Sequence, residues 1–397
     1  MDYESINIDK FVDFLYFIYM TLLPRHYSNL EKYLEPGKVL IVYGPRRVGK
    51  TTLIQQYLQT TSWKYKLGSG DNIQLQHVLG SQDFSQILPY AEGYDLLVID
   101  EAQNIPGIGM GLKILVDQIP TIRIIATGSS SFELAGQVGE PLTGRKHTLT
   151  LYPIAQQELL ENVFNSFELK EKLHDYLIYG SYPEVISESN QTGKIKIIEE
   201  LVNSYLLKDV LTLADVKGSK TLSSILRLLA FQIGSQVSLN EIANAINIDV
   251  KTVQRYLDLL EKAFVLVSLG GFSRNLRNEV TSKAKYYFLD TGIRNGIIQQ
   301  FNRVDLRDDV GKLWENFIFI ERLKYRTYKN VFANTYFWRT YNQKEVDLIE
   351  DRGGKLHAYE YKWFEKSKTH APSEWKITYP DASFNIINSN NYLKFIS

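Results

Sequence analysis

The chain contains no cysteine. That excludes disulfides, thiolate zinc sites and cysteine nucleophiles together, and it fits a reducing compartment. Net charge is also missing, because 45 Lys and Arg balance 45 Asp and Glu over 397 residues. No global field draws the protein to nucleic acid or to a membrane, so such a partner has to be read from local patches. Long apolar runs are lacking too. The nearest is Phe11–Leu23, and a helix needs about 20 apolar residues to cross a bilayer. Asp13 interrupts this run, and Asp2, Glu4 and Asp9 stand where a signal peptide carries basic residues. The segment reads as an amphipathic helix packed on the body of the protein. The expectation is a cytoplasmic protein with no membrane partner.

What is present is ordinary for soluble globular protein: 44% hydrophobic and 23% charged residues, enough for two to four domains. Buried-strand signals at Lys38–Tyr43, Asp95–Ile99 and Ile122–Ala126 alternate with helical stretches such as Thr51–Thr60. This order predicts an α/β fold with a parallel sheet and helices on both faces. From about Pro153 long helical periodicity takes over, with three consecutive helices expected at Leu222–Gly234, Leu239–Ile246 and Val250–Phe264. Strands at Val265–Leu269 and Tyr286–Leu289 follow. A helix at Val310–Tyr325 then precedes a meander of Thr335–Arg339, Glu345–Glu350 and Lys355–Lys362.

The string Gly44-Pro45-Arg46-Arg47-Val48-Gly49-Lys50-Thr51 satisfies G-x-x-x-x-G-K-[ST] between a buried strand and a helix, the context this phosphate loop requires. Gly44 and Gly49 let backbone N–H groups wrap phosphates, with Thr52 continuing into the helix. Lys50 is expected on the β- and γ-phosphates, and the Thr51 hydroxyl on Mg²⁺. Asp100 and Glu101 end the next apolar strand, Asp100 serving the metal and Glu101 polarising the attacking water. Ser129, with Ser130 as its neighbour, stands where a polar group would sense the γ-phosphate. Arg145 is a candidate arginine finger, within or between subunits. ATP and Mg²⁺ are therefore the expected ligands and ATP hydrolysis the expected activity, in a chain acting alone, as a homo-oligomer or with a protein partner.

Helix-turn-helix proportions mark Leu239–Ile246 and Asp249–Phe264, with Asp249 as helix cap and Val253, Leu257, Leu260 and Phe264 as the buried stripe. Lys251, Thr252, Gln254 and Arg255 then face outward as candidate DNA contacts. Arg274, Arg277, Lys283 and Lys285 would furnish a basic wing. Over residues 216–295 eleven Lys and Arg outnumber six Asp and Glu, an excess of +5 that favours phosphate contact. The competing role is a docking or lid module. In the last hundred residues, Asp347 lies on one strand and Glu360 and Lys362 share a face of the next. Two carboxylates on paired strands suit a Mg²⁺ site, with Lys362 orienting water and Glu315 completing the set from the preceding helix.

Several strings resemble a prokaryotic AAA-type ATPase family whose members carry a C-terminal domain of unknown function. They are Gly44–Thr52, Asp100-Glu-Ala-Gln103, Thr127-Gly-Ser-Ser-Ser131 and Leu142-Thr-Gly-Arg145 through Leu151-Tyr-Pro153. Gly180-Ser-Tyr-Pro-Glu-Val185 is similar to that family's Gly-Gly-x-Pro-Glu-Val signature, with Ser181 replacing a glycine. The resemblance spans nearly the whole chain from about Arg25, and it implies adenine rather than guanine and a winged helix. The D…E-x-K pattern of Asp347, Glu360 and Lys362 resembles the core of the restriction-endonuclease-like superfamily, to which such tails are likened. The expected organisation is an N-terminal helix at 1–30, a P-loop ATPase core at 31–153 and a helical lid at 154–215. A winged-helix-like domain at 216–295 and a nuclease-like α/β domain at 296–397 complete it. The implied function couples nucleotide state to a nucleic-acid-directed C-terminal region, or to a protein-interaction switch whose tail is inert.

Overall fold

A computed structural model of the chain describes residues 23–129, 141–206, 219–272, 283–340, 342–364 and 370–397. The expected helix at Phe11–Leu23, all but its last residue, lies outside them, as do Ser130, Arg274 and Arg277.

The first unit is a five-stranded, wholly parallel sheet. Its strands are β1 (Val39–Tyr43), β2 (Tyr65–Ser69), β3 (Leu96–Asp100), β4 (Arg123–Gly128) and β5 (Lys146–Thr150), in the order β2-β3-β4-β1-β5. The three apolar runs expected to be strands form the centre, where both faces are covered by helices. The edges were not foreseen. β2 alternates exposed and half-buried residues, and β5 reads Lys-His-Thr-Leu-Thr, so neither carries an apolar run. Around the sheet lie α1 (Lys50–Thr60), α2 (Ile73–Gly80), α3 (Phe84–Ala91) and α4 (Ile108–Gln118).

Short helices follow as α5 (Gln156–Asn162), α6 (Ser166–Glu171), α7 (Leu173–Tyr179) and α8 (Pro183–Ser187), and then α9 (Gln191–Glu200). The Gly180–Val185 signature is the turn from α7 into α8. Gly180 has φ +78°, and a Cβ there would lie 2.0 Å from Asp290 Oδ1. Only glycine admits that carboxylate, whose Oδ2 accepts from Ser181 N at 2.7 Å. Pro183 then opens α8 at a position where no N–H is needed.

The middle unit comprises α10 (Ser219–Phe231), α11 (Leu239–Ile246), α12 (Val250–Lys262) and an antiparallel pair, β6 (Leu266–Leu269) with β7 (Lys285–Phe288). Asp249 caps α12, accepting from Lys251 N at 2.6 Å. Val253, Leu257 and Leu260 are buried as expected and Tyr256 joins them. Phe264 is only half-buried, with φ +56°, and its ring leans on Tyr43 at 5.4 Å. After α13 (Thr291–Ile298), the tail is α14 (Val310–Tyr328) and a four-stranded sheet in the order β11-β10-β9-β8, with α15 (Ser373–Thr378) and α16 (Leu393–Ile396). β8 (Asn334–Arg339), β9 (Glu345–Arg352) and β10 (Lys355–Tyr361) form the expected meander, and β11 (Ser383–Ile387) adds a parallel strand beside β10. Middle unit and tail are joined through backbone: Phe337 N donates to Gly270 O at 2.9 Å and Phe272 N to Phe337 O at 2.6 Å. Among the described residues, no helix is long and apolar enough to cross a membrane.

Candidate functional site

β1 runs into the loop Gly44–Gly49, which leads straight into α1. At Gly44 the chain passes so close to the strand leaving β5 that a Cβ would lie 2.0 Å from Leu151 O. Arg47 and Gly49 take left-handed backbone, φ +59° and +92°, and curl the loop over the helix start. Lys50 is buried, its ammonium donating to Gly44 O at 3.0 Å and Pro45 O at 2.9 Å, so the charge sits inside the loop.

β4 lies between β1 and β3, and it brings the acidic pair to the loop. Thr51 Oγ1 donates to Asp100 Oδ2 at 2.9 Å, which unites the hydroxyl and carboxylate expected to share a metal. Thr127, on the intervening strand, donates to Asp100 Oδ1 and accepts from Glu101 N at 3.0 Å. Glu101 adopts φ +50°, and Gln103 Nε2 donates to its Oε2. Ser129 follows the end of β4, whose Gly128 pairs with Tyr43, so it is beside the loop and buried. Oxygen donors from a hydroxyl and a carboxylate at the phosphate end of the sheet suit Mg²⁺, which keeps several waters and uses few protein ligands.

Arg145 is elsewhere. Its carbonyl accepts from Val39 N at the start of β1, the opposite end of the sheet from Gly44. Its guanidinium pairs with Asp117 at 2.5 Å. Parallel register forces this: a residue just before β5 lies at the beginning of β1, not at its end. Within one chain Arg145 is therefore no finger for the phosphate loop.

Several residues around the loop went unassigned in the sequence. Arg25 is buried behind it. Its guanidinium donates to Val48 O, to Tyr152 O at 2.6 Å and to Glu158 Oε1 at 3.1 Å, and reaches the Tyr328 hydroxyl at 3.5 Å. Arg47 bonds Glu184 Oε2 at 3.2 Å and Glu200 Oε1 at 2.7 Å, which gives the Pro-Glu-Val signature a partner in the loop. A cavity beside the loop is lined by Leu23, Val48, Thr52, Gln56, Ile154 and Pro183.

On α12, Lys251, Gln254 and Arg255 are exposed and Thr252 half-buried, as expected for an outward face. Lys283 is exposed, but Lys285 is not in a wing. Its side chain is 1% exposed and turned into the tail. There the fold does assemble Glu315, Asp347, Glu360 and Lys362. Tyr361 N donates to Asp347 Oδ2 at 2.8 Å, and Lys362 Nζ lies 2.6 Å from Glu360 Oε1. Burial, then the charges of Glu315 and Glu360, push the Asp347 carboxyl well above the usual carboxylate range. Burial lowers the Lys285 value, but Glu315, Asp347 and Glu345 outweigh it and hold the ammonium charged. Among the described residues no group of three or more His, Asp or Glu is arranged to hold a metal ion.

Residues 36–160 match the profile of an AAA domain. The chain carries an AAA domain. Residues 170–305 and 310–394 match two domains of unknown function, DUF8612 and DUF4143. An uncharacterized protein of Haemophilus influenzae is 27% identical over 350 residues, 84% of each chain. One of Mycobacterium tuberculosis is 24% identical over 349 residues, covering 87% of this chain and 74% of the relative. An uncharacterized ATP-binding protein of Pyrococcus horikoshii shares 46% identity over 54 residues, 14% of this chain and 16% of that protein. The AAA match thus falls on the sheet and phosphate loop, and the two further domains on everything after α6.

Proposed function

We propose that the protein binds ATP at Gly44–Thr52 and hydrolyses it with Mg²⁺ held by Thr51 and Asp100. The observation that carries this reading is the 2.9 Å hydrogen bond from Thr51 Oγ1 to Asp100 Oδ2, which joins loop and acidic strand in one site. Lys50 exchanges its carbonyl partners for the β- and γ-phosphates. Glu101, oriented by Gln103 and by its own N–H on Thr127, takes the proton of the attacking water. Ser129 contacts the γ-phosphate. The ion neutralises charge building on the phosphates. The name of the Pyrococcus relative and the AAA match support ATP as the nucleotide. Arg145 would serve only across a subunit boundary.

Nucleotide state passes to the C-terminal region through Arg47, whose carboxylate partners sit on α8 and α9. One output is DNA contact at Lys251, Thr252, Gln254 and Arg255 on a winged-helix-like unit, supported by the exposure of the three longer side chains and the local +5 charge. The other is a protein-interaction switch with a nuclease-like but inert tail, supported by the burial of Lys285. ATP turnover measured with and without duplex DNA tests both. Stimulation by DNA selects the first; turnover indifferent to DNA selects the second; no turnover under either condition refutes the ATPase itself.

A further inference from the structure

Lys285 opens β7 in the middle unit, yet its ammonium lies among carboxylates of the tail. Nζ is 2.9 Å from Glu315 Oε1, 3.8 Å from Asp347 Oδ1 and in contact with Glu345 Oε1. Tyr287, on the same face of the strand, donates to that Glu315 Oε1 at 2.7 Å. Asn316 accepts from Phe288 N and donates to Phe288 O, both at 2.8 Å, and so completes the hydrogen bonding of β7. Lys285 and Tyr287 thus enter the cluster from a strand whose position is fixed by α14 itself.

Carboxylates brought this close need a compensating cation. Mg²⁺ demands oxygens at about 2.0–2.1 Å in near-octahedral array. An ammonium sits at hydrogen-bond distance, satisfies the same oxygens and cannot dissociate. We infer that Lys285 is the resident cation of the tail, occupying the position a divalent ion would need among Glu315, Glu345 and Asp347, so that the cluster fastens middle unit to tail and takes no metal. The residues expected to hold Mg²⁺ for cleavage do not fit that ion while Lys285 is there. None of these contacts involves the phosphate loop.

The test is Mn²⁺ titration of the nucleotide-free full chain, followed by electron paramagnetic resonance. Wild type and Asp347→Asn are expected to bind Mn²⁺ identically. Lys285→Met, similar in length but uncharged, is expected to gain about one Mn²⁺ per chain, and Lys285→Met/Asp347→Asn to lose it again. Wild-type binding that Asp347→Asn removes overturns the inference. A folded Lys285→Met chain with no new Mn²⁺ also overturns it. Should Lys285→Met fail to fold, the wild-type and Asp347→Asn pair decides alone, identical binding supporting and lost binding refuting.

Discussion

Arg47 of the phosphate loop is ion-paired with Glu184 of α8, 137 positions later, at 3.2 Å. A triphosphate entering the loop competes with that carboxylate, and with Glu200, for one guanidinium. Both glutamates are about half exposed, so each pair is weak and screened by salt. Glu184→Gln/Glu200→Gln is expected to tighten ATP binding about two- to tenfold at low ionic strength, with the gain shrinking as salt rises. Titration with a fluorescent ATP analogue at two salt concentrations checks it; unchanged affinity at low salt refutes the competition.

Lys50→Ala is expected to abolish ATP binding, because the loop loses the one ammonium folded inside it. Glu101→Gln keeps the fold and the bond from Gln103 while removing the base. It should bind ATP normally and turn it over about 10²-fold or more slowly. Calorimetry and phosphate release measured on the same preparations separate the two effects. Equal turnover in Glu101→Gln and wild type would mean that another group takes the proton.

Arg25 and Glu158 are buried together at 3.1 Å. Arg25→Met removes the cation and leaves the carboxylate in the core, an effect on the order of 3–5 kcal/mol. It also removes the donor that holds Val48 O from behind the loop. Melting temperature and ATP affinity should therefore fall together. A variant that melts like wild type would show that Glu158 finds another partner.

Glu350 supplies an acid-dependent contribution. Burial pushes its carboxyl up, but the hydrogen bonds and charge of Arg322 and the neighbouring Arg352 outweigh that and hold it below the usual range. A carboxylate depressed in the folded state stabilises above its unfolded value, near 4.3, and that stabilisation is lost as pH falls through the folded value. Asp347 has the opposite sign: its raised value favours the folded chain in acid, and that benefit is lost as pH rises. Denaturant unfolding of Glu350→Gln should show a deficit against wild type at pH 7 that narrows below about pH 4. A deficit constant with pH would rule out the ionised carboxylate as its source.

The phosphate loop, its acidic partner and the tail cluster were legible because each is local or lies on adjacent strands. Gly44–Thr51 is one turn, Asp100-Glu101 one strand end, and Asp347 and Glu360 face each other across one hairpin. The central strands were legible from burial on both faces. β2, β5 and β11 were not, since an edge strand can be polar. Buried charges were the blind spot. Arg25 meets Glu158 across 133 positions and Lys285 meets Glu315 across 30, and neither lysine nor arginine announces burial in its sequence surroundings. Lys285 therefore read as part of a basic loop, and Arg145 as a finger until the parallel register set it at the far end of the sheet.

Helix α14 ties these places together. Glu315 in the tail cluster and Tyr328, which touches Arg25 and donates to Tyr152 N at 3.2 Å, are residues of one unbroken helix. Thirteen residues of helix make a shaft about 20 Å long, so pivoting it at Tyr328 by one degree swings Glu315 through roughly 0.3 Å. The tail is mounted on a lever whose fulcrum is the back wall of the phosphate loop.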